Sequence, residues 1–415
     1  MARALIAVTV VIVVTFLVAS GFGRGSGGGS QAGVIDFQVA GDAQELAVYR
    51  ELVAAYQRKT GERVRMIEVG DRKAMLAKLS TSFGAGRPPD VFLLNHRYVG
   101  GYIAREVLDP VGPRLAASES LSPEDYFDIP RAAFTDRRGT LACLPQNVSS
   151  LVVYYNADLF EKAGLPRPRA DWTYEEFLAA ARKLTRGNVD GVGVEPTVIR
   201  SAPFVWSAGG ELVDDEAAPT RFLYDTPPAR RGLEALLDTR RYAPSANEAA
   251  SQPLEERFVA GKLAMLLSSR VEVPALRTID DFEWDVAGFP TIERPATVLH
   301  ADGFCLPRGG DADRAWRFVE FASGTEGQPL LARAGRTVPS NREVAASPAF
   351  LDASRPPRSS RVFLDAIDSM RRLPTTPNWE KAEESANRAL ERAYYGTLPL
   401  DVALRRIRAE TDGGF

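Results

Sequence analysis

Two histidines and two cysteines are the scarce reactive side chains of this 415-residue chain. His96 and His300 lie more than 200 positions apart. Cys143 and Cys305 are too few for a disulfide scaffold or a cysteine-rich zinc site. Gly261-Lys262 is not a phosphate-binding loop, because Glu256 occupies the place of the upstream glycine. A G-x-G-x-x-G at Gly23, Gly25 and Gly28 opens no helix that could hold a pyrophosphate. There is no zincin motif and no G-x-S-x-G nucleophile turn. Asn147-Val-Ser149 matches a glycosylation sequon, a pattern too short to carry weight. Carboxylates abound, Asp214-Asp215 among them, but nothing isolates a catalytic pair. A glycosidase could still draw two carboxylates from distant positions. The expectation is therefore no catalytic residue, no metal site and no cofactor.

The composition sets what must position any site. Lys+Arg 51 against Asp+Glu 54 gives a net charge of −3, which argues against a nucleic-acid partner or an anionic membrane surface. With 45% hydrophobic and 25% charged residues, the chain can bury a sizeable core in two or three domains. Residues 4–23 carry no charge between Arg3 and Arg24. Residues 1–23 read as a secretory signal peptide, with small residues Val18-Ala19-Ser20 for cleavage, or as an uncleaved membrane anchor. No cysteine follows for a lipoprotein anchor. Either reading puts the body in the periplasm or another extracytoplasmic space. Residues 24–33 are a Gly/Ser-rich tether.

The body alternates strands and helices. Strands are predicted at 34–39, 63–69 and 91–94. A helix lies between the first two, with apolar residues at Leu46, Tyr49, Val53 and Tyr56 and a stop at Gly61. A second is predicted near 72–83. This order implies a parallel sheet with covering helices. Further strands are predicted at 151–155, 264–267, 284–287 and 297–306. Thr173 and Glu176 form a capping box, flanked by a hydrophobic staple of Trp172 and Phe177, for a helix reaching about Thr185. Helices are expected near 157–163, 229–237, 312–322, 326–334, 379–395 and 400–410. Residues 352–360 read as a linker.

Several segments, in order, resemble the bacterial extracellular solute-binding proteins of ABC importers, in particular the carbohydrate-binding, maltose-binding-protein-like family. They are Leu52-Val-Ala-Ala-Tyr-Gln-Arg-Lys-Thr-Gly61, Pro88-Pro-Asp-Val-Phe-Leu-Leu94, Leu144-Pro145 with Leu151-Val-Val-Tyr-Tyr-Asn-Ala-Asp-Leu-Phe-Glu-Lys-Ala-Gly-Leu165, Trp206-Ser-Ala-Gly-Gly210, Phe258-Val-Ala-Gly-Lys-Leu-Ala-Met265, Ala315-Trp-Arg-Phe-Val-Glu-Phe321 and Arg336-Thr-Val-Pro339. The resemblance implies an α/β fold of two lobes, each a mostly parallel sheet flanked by helices. It places the first lobe at 34–142 and 307–356 and the second at 147–302 and 357–415. Hinge strands fall at 143–146 and 303–306. It implies a monomeric, non-enzymatic receptor that captures a mono-, di- or short oligosaccharide in the interlobe cleft and delivers it to a transmembrane permease. Alternatives are a receptor for a polyol phosphate, polyamine or peptide, an extracytoplasmic hydrolase, or a tethered sensor partner.

Sugar recognition needs planar polar groups for hydroxyls and flat apolar faces for rings. Under the resemblance, Asp42 after the first strand is a ligand contact or the cap of the first helix. Asn95, Arg97 and Tyr98 follow the strand 91–94. Gln146 and Asn147 follow the first hinge strand, with turn chemistry as the other reading. Trp206, Gly209 and Gly210 face ligand or, for Trp206, the core. Ser269 and Arg270 stand at a strand end, where Arg270 would meet sugar or an anionic group. Trp379, at an exposed helix start after Pro374-Thr-Thr-Pro377, is the expected stacking platform. Leu94 stands where the family often has an aromatic residue, which favours a short sugar over a long glucan. The hinge analogy also brings Cys143 and Cys305 together, either as a disulfide or as two separate buried thiols.

Overall fold

The computed structural model describes residues 33–415. The apolar N-terminal run and all of the tether but Gly33 lie outside them. Twelve strands are assigned: β1 Val34–Ala40, β2 Arg63–Val69, β3 Val91–Asn95, β4 Leu108–Asp109, β5 Cys143–Pro145, β6 Ser149–Ser150, β7 Val152–Asn156, β8 Met265–Ser268, β9 Trp284–Ala287, β10 Thr297–His300, β11 Asp302–Pro307 and β12 Met370–Arg371.

The first lobe is built on a six-stranded sheet in the order β2-β1-β3-β11-β4, with β5 also paired to β11. β1 is buried along nearly its whole length and lies parallel to both β2 and β3. The helix Ala43–Thr60 covers it. Asp42 caps that helix by accepting from the Glu45 amide, and Gly61 ends it at φ 74°, a left-handed backbone that glycine adopts without strain. Leu46, Tyr49, Leu52, Val53 and Tyr56 form its buried stripe. They meet Phe37, Phe304 and Phe318 in an aromatic core.

The second lobe carries two three-stranded sheets, β8-β7-β9 and β12-β10-β6. Its helix Tyr174–Leu184 starts with the expected capping box. Trp172 and Phe177 pack edge to face, 5.5 Å between ring centroids, and the Trp172 indole donates to the Gly288 carbonyl.

The architecture is α/β with two lobes, but the sheets are mixed rather than mostly parallel. β11 runs antiparallel to β3, β4 and β5, since it re-enters the first sheet from the second lobe. β7 is antiparallel to both its neighbours. The single strand expected over 297–306 is two, divided at Ala301, so β10 and β11 belong to different sheets. β5 and β11 leave the first sheet together, and a disulfide joins them. Cys143 and Cys305 stand opposite in the register, Cα atoms 4.5 Å apart, fully buried. Residues 95–98, expected as a loop, instead open the helix His96–Ala104, capped by Asn95.

Candidate functional site

Where the first sheet ends its strands against the second lobe, both lobes line a cleft of about 610 Å³. Most contributors sit where an element begins or ends, whereas Glu383 and Asn387 come from within the helix Trp379–Tyr394. Gly41 and Asp42 follow β1, and Asp71 and Arg72 follow β2. Asn95 closes β3, and the first turn of the next helix brings Arg97 and Tyr98. Asn147 and Ser149 lie between β5 and β7. Asp302 opens β11. The second lobe adds Glu195, Arg200, Ser269, His300, Glu383 and Asn387.

Asp302 is the centre of the floor. It accepts from the Asn95 amide at 3.1 Å, from the Asn147 amide at 3.3 Å and from Arg72 at 3.4 Å. Its own backbone N–H donates to the Asn147 side-chain oxygen at 2.8 Å. Arg336 reaches Asp42 at 2.7 Å and Glu45 at 2.9 Å. Arg97 bridges the lobes to Glu383 at 2.6 Å, and Arg200 meets Glu195 at 3.4 Å. All four lining arginines are thus answered by carboxylates from the same walls. Burial pushes the Glu45 carboxyl up to about 7, even with Arg336 beside it. Burial also holds His300 well below the ordinary histidine value, so it is a neutral ring at the cleft wall, with an Nε2 that has no protein partner among the described residues. Among the described residues, Tyr98 carries the one six-membered aromatic ring on this lining.

Of the residues expected from the sequence, the cleft brings together Asp42, Asn95, Arg97, Tyr98, Asn147 and Ser269. Asp42 serves both readings, as helix cap and as cleft wall. The others lie elsewhere. Trp379 is fully buried between Phe222 and Phe415, ring centroids 5.6 and 5.9 Å away, because the chain terminus folds over the start of its helix. Trp206 is a core residue whose outer face is covered by Arg371, 4.9 Å from its ring. Gly209 and Gly210 turn the chain after the helix Val198–Ser207: Gly209 has φ 80°, and a Cβ on Gly210 would lie 2.6 Å from the Ala229 backbone. Gln146 is sealed inside the first lobe, where its carbonyl accepts from Gln328. Arg270 is sandwiched between Phe350 and Phe363 at 4.3 and 4.9 Å, and burial lowers it to about 9.

Sequence reasoning missed Glu45, Arg72, Asp302, Arg336 and Glu383. Glu45 and Arg72 each carried a usable signal, since both fall in the first turn of a helix that follows a first-sheet strand. Among the described residues no group of histidine, cysteine or carboxylate side chains could hold a metal ion. None of their helices is long and apolar enough to cross a membrane.

The comparison with protein families decides the assignment. The model for bacterial extracellular solute-binding proteins matches residues 40–329. The chain belongs to this family. Among curated relatives, a binding protein of Brucella abortus is 22% identical over 400 residues, covering 89% of this chain and 93% of the relative. A maltooligosaccharide ABC transporter solute-binding lipoprotein of Streptococcus pneumoniae is 23% identical over 332 residues, 73% of each. Among solved structures of solute-binding proteins, an ABC substrate-binding protein of Listeria monocytogenes in complex with cycloalternan has a TM-score of 0.80 at 24% identity, covering 90% of this chain and 96% of that one. The two-lobe fold described above is thus the fold of solute-binding proteins, and the cleft lies between its lobes.

Proposed function

We propose that this chain is the extracytoplasmic receptor of an ABC importer, that it captures an uncharged mono-, di- or short oligosaccharide in the interlobe cleft, and that it delivers the sugar to a membrane permease. One observation carries the choice of ligand: each arginine on the cleft wall is already paired with a carboxylate. A phosphate or carboxylate ligand would have to displace one of these pairs. Sugar hydroxyls need not. They donate to the free lone pairs of Asp302, Glu383 and Glu45 and accept from the remaining guanidinium and amide N–H groups, and such charge-assisted bonds are the stronger ones. Tyr98 is too little ring surface for a long glucan, which needs one platform per few sugar units, so a compact ligand fits better. The sugar-binding relatives support the same class.

The paired exit of β5 and β11 supports hinge strands at 143–146 and 303–306, with lobes 34–142 plus 307–356 and 147–302 plus 357–415. Closure of the lobes about these strands, held by the Arg97–Glu383 bridge across the gap, is the switch the permease reads. The receptor acts as a monomer, is exported through residues 1–23 and returns its ligand chemically unchanged. Calorimetry against a panel of neutral sugars, polyol phosphates and polyamines tests the reading. Saturable binding of a neutral sugar is expected. Binding of a polyol phosphate alone would replace the proposal.

A further inference from the structure

The lobes meet a second time. A crevice of about 600 Å³ between them shares no lining residue with the cleft. The first lobe supplies the far face of the helix His96–Ala104, the segments following it and Arg308 beyond β11. The second lobe supplies Glu216, Ala217 and the stretch from Arg372 to Pro377.

The charge pattern is the reverse of the cleft's. Four guanidinium groups line the crevice: Arg137, Arg138, Arg308 and Arg372. Arg137 donates to the Ala217 carbonyl, and Arg372 to the Ala132 carbonyl at 3.0 Å, both across the lobe boundary. Neither uses its charge on a carboxylate. Arg138 and Arg308 are exposed, and among the described residues their side chains make no ion pair or hydrogen bond. Three carboxylates share this lining, and one of them, exposed Glu106, makes no ion pair among the described residues. Glu216 is held by Arg371 at 2.6 Å, and Asp136 accepts the Arg138 and Thr140 amides, each at 2.8 Å. The buried Thr376 hydroxyl has no partner among the described residues. Ile103, Leu108, Pro110 and Pro377 give the same crevice an apolar wall.

Several uncommitted planar cations and a free hydroxyl beside an apolar wall match a planar or tetrahedral oxyanion carried on a short apolar body. The volume lies in the range of small-molecule sites. We infer that this crevice binds an oxyanion-bearing small molecule, separately from the solute held in the cleft, and that the bound anion ties the two lobes together through Arg308 on one side and Arg372 on the other.

Isothermal calorimetry of the full chain with phenyl phosphate and inorganic phosphate, at ionic strength fixed with sodium chloride, tests this. Saturable one-site binding is expected, weakened at least tenfold in the double variant R138Q/R308Q and unchanged in the cleft variant R72Q. Both substituted side chains of the double variant are exposed, so its melting temperature should match the parent's. Absence of saturable binding, equal binding by R138Q/R308Q, or loss of binding in R72Q would each overturn the inference. The last would move the anion into the cleft, and sugar binding measured on the same samples keeps the two sites distinct.

Discussion

Replacing Cys143 and Cys305 together by alanine removes a cross-link whose ends are 162 residues apart in sequence. The chain-entropy relation assigns a closed loop of that length about 5 kcal/mol of stabilisation, chiefly through the unfolded state. Unfolding of about 380 residues carries an entropy near 0.8 kcal/mol/K, so the melting temperature should fall by roughly 6 °C. Both sulfurs are buried, and β5 and β11 keep their backbone pairing in the variant, so native secondary structure and sugar affinity should stay close to those of the parent. Scanning calorimetry of the oxidised parent against the double-alanine variant reads the shift. Reductant added to the folded parent should act slowly, since it must wait for the sheet to open. A shift within about 1 °C, or two titratable thiols after denaturing the non-reduced protein, would refute the reasoning.

Other outcomes follow from the same packing. Asp302→Asn removes the negative charge and one of the two acceptor oxygens that serve Asn95, Asn147 and Arg72, and should cost sugar affinity on the order of 10- to 100-fold by calorimetry. Trp379→Ala should act on stability rather than on ligand. Emptying a fully buried site between two phenylalanine rings costs about 3–5 kcal/mol in denaturant titration. The Glu45 carboxyl is raised from 4.5 to about 7 on folding, so the folded state takes up its proton more readily than the unfolded chain. Stability from this group is full below pH 4.5 and is lost as pH rises through 7, by on the order of 3 kcal/mol. Glu45→Gln should flatten that slope in melting scans between pH 4.5 and 8, and a slope identical to the parent's would sink the assignment.

The helices were legible where local chemistry writes their ends. Asp42 with Gly61, and Thr173 with Glu176, bound their helices as the sequence implied. The longer strands and the parallel set β1 to β3 were legible, but the two-residue strands and the antiparallel return of β11 were not, because pairing of β11 with β3 joins segments some 200 residues apart. The helix His96–Ala104 escaped notice because Gly100-Gly101 argues against a helix. Its glycine answers a tertiary demand instead: a Cβ on Gly100 would sit 1.7 Å from the Thr375 carbonyl oxygen. The site divides in the same way. Residues just after a first-sheet strand, Asp42, Asn95 and Arg97, could be named from order alone. Asp302 could not, since its importance comes from a strand break at Ala301 and from Asn147, 155 positions away. Trp379 was not legible as a core residue because a helix start after prolines reads as open, whereas Phe222 and Phe415 close over it.

The pairing of every cleft arginine with a wall carboxylate reaches beyond ligand choice. Such a site carries its own counter-ions. When a neutral sugar enters, no dissolved ion need be released or taken up, and the plot of affinity against salt should be nearly flat. Paired charges about 3 Å apart also lie well inside the screening length of about 8 Å at physiological ionic strength. A receptor built this way holds its performance in dilute and in saline surroundings alike, which suits a protein that works outside the cell's buffered interior.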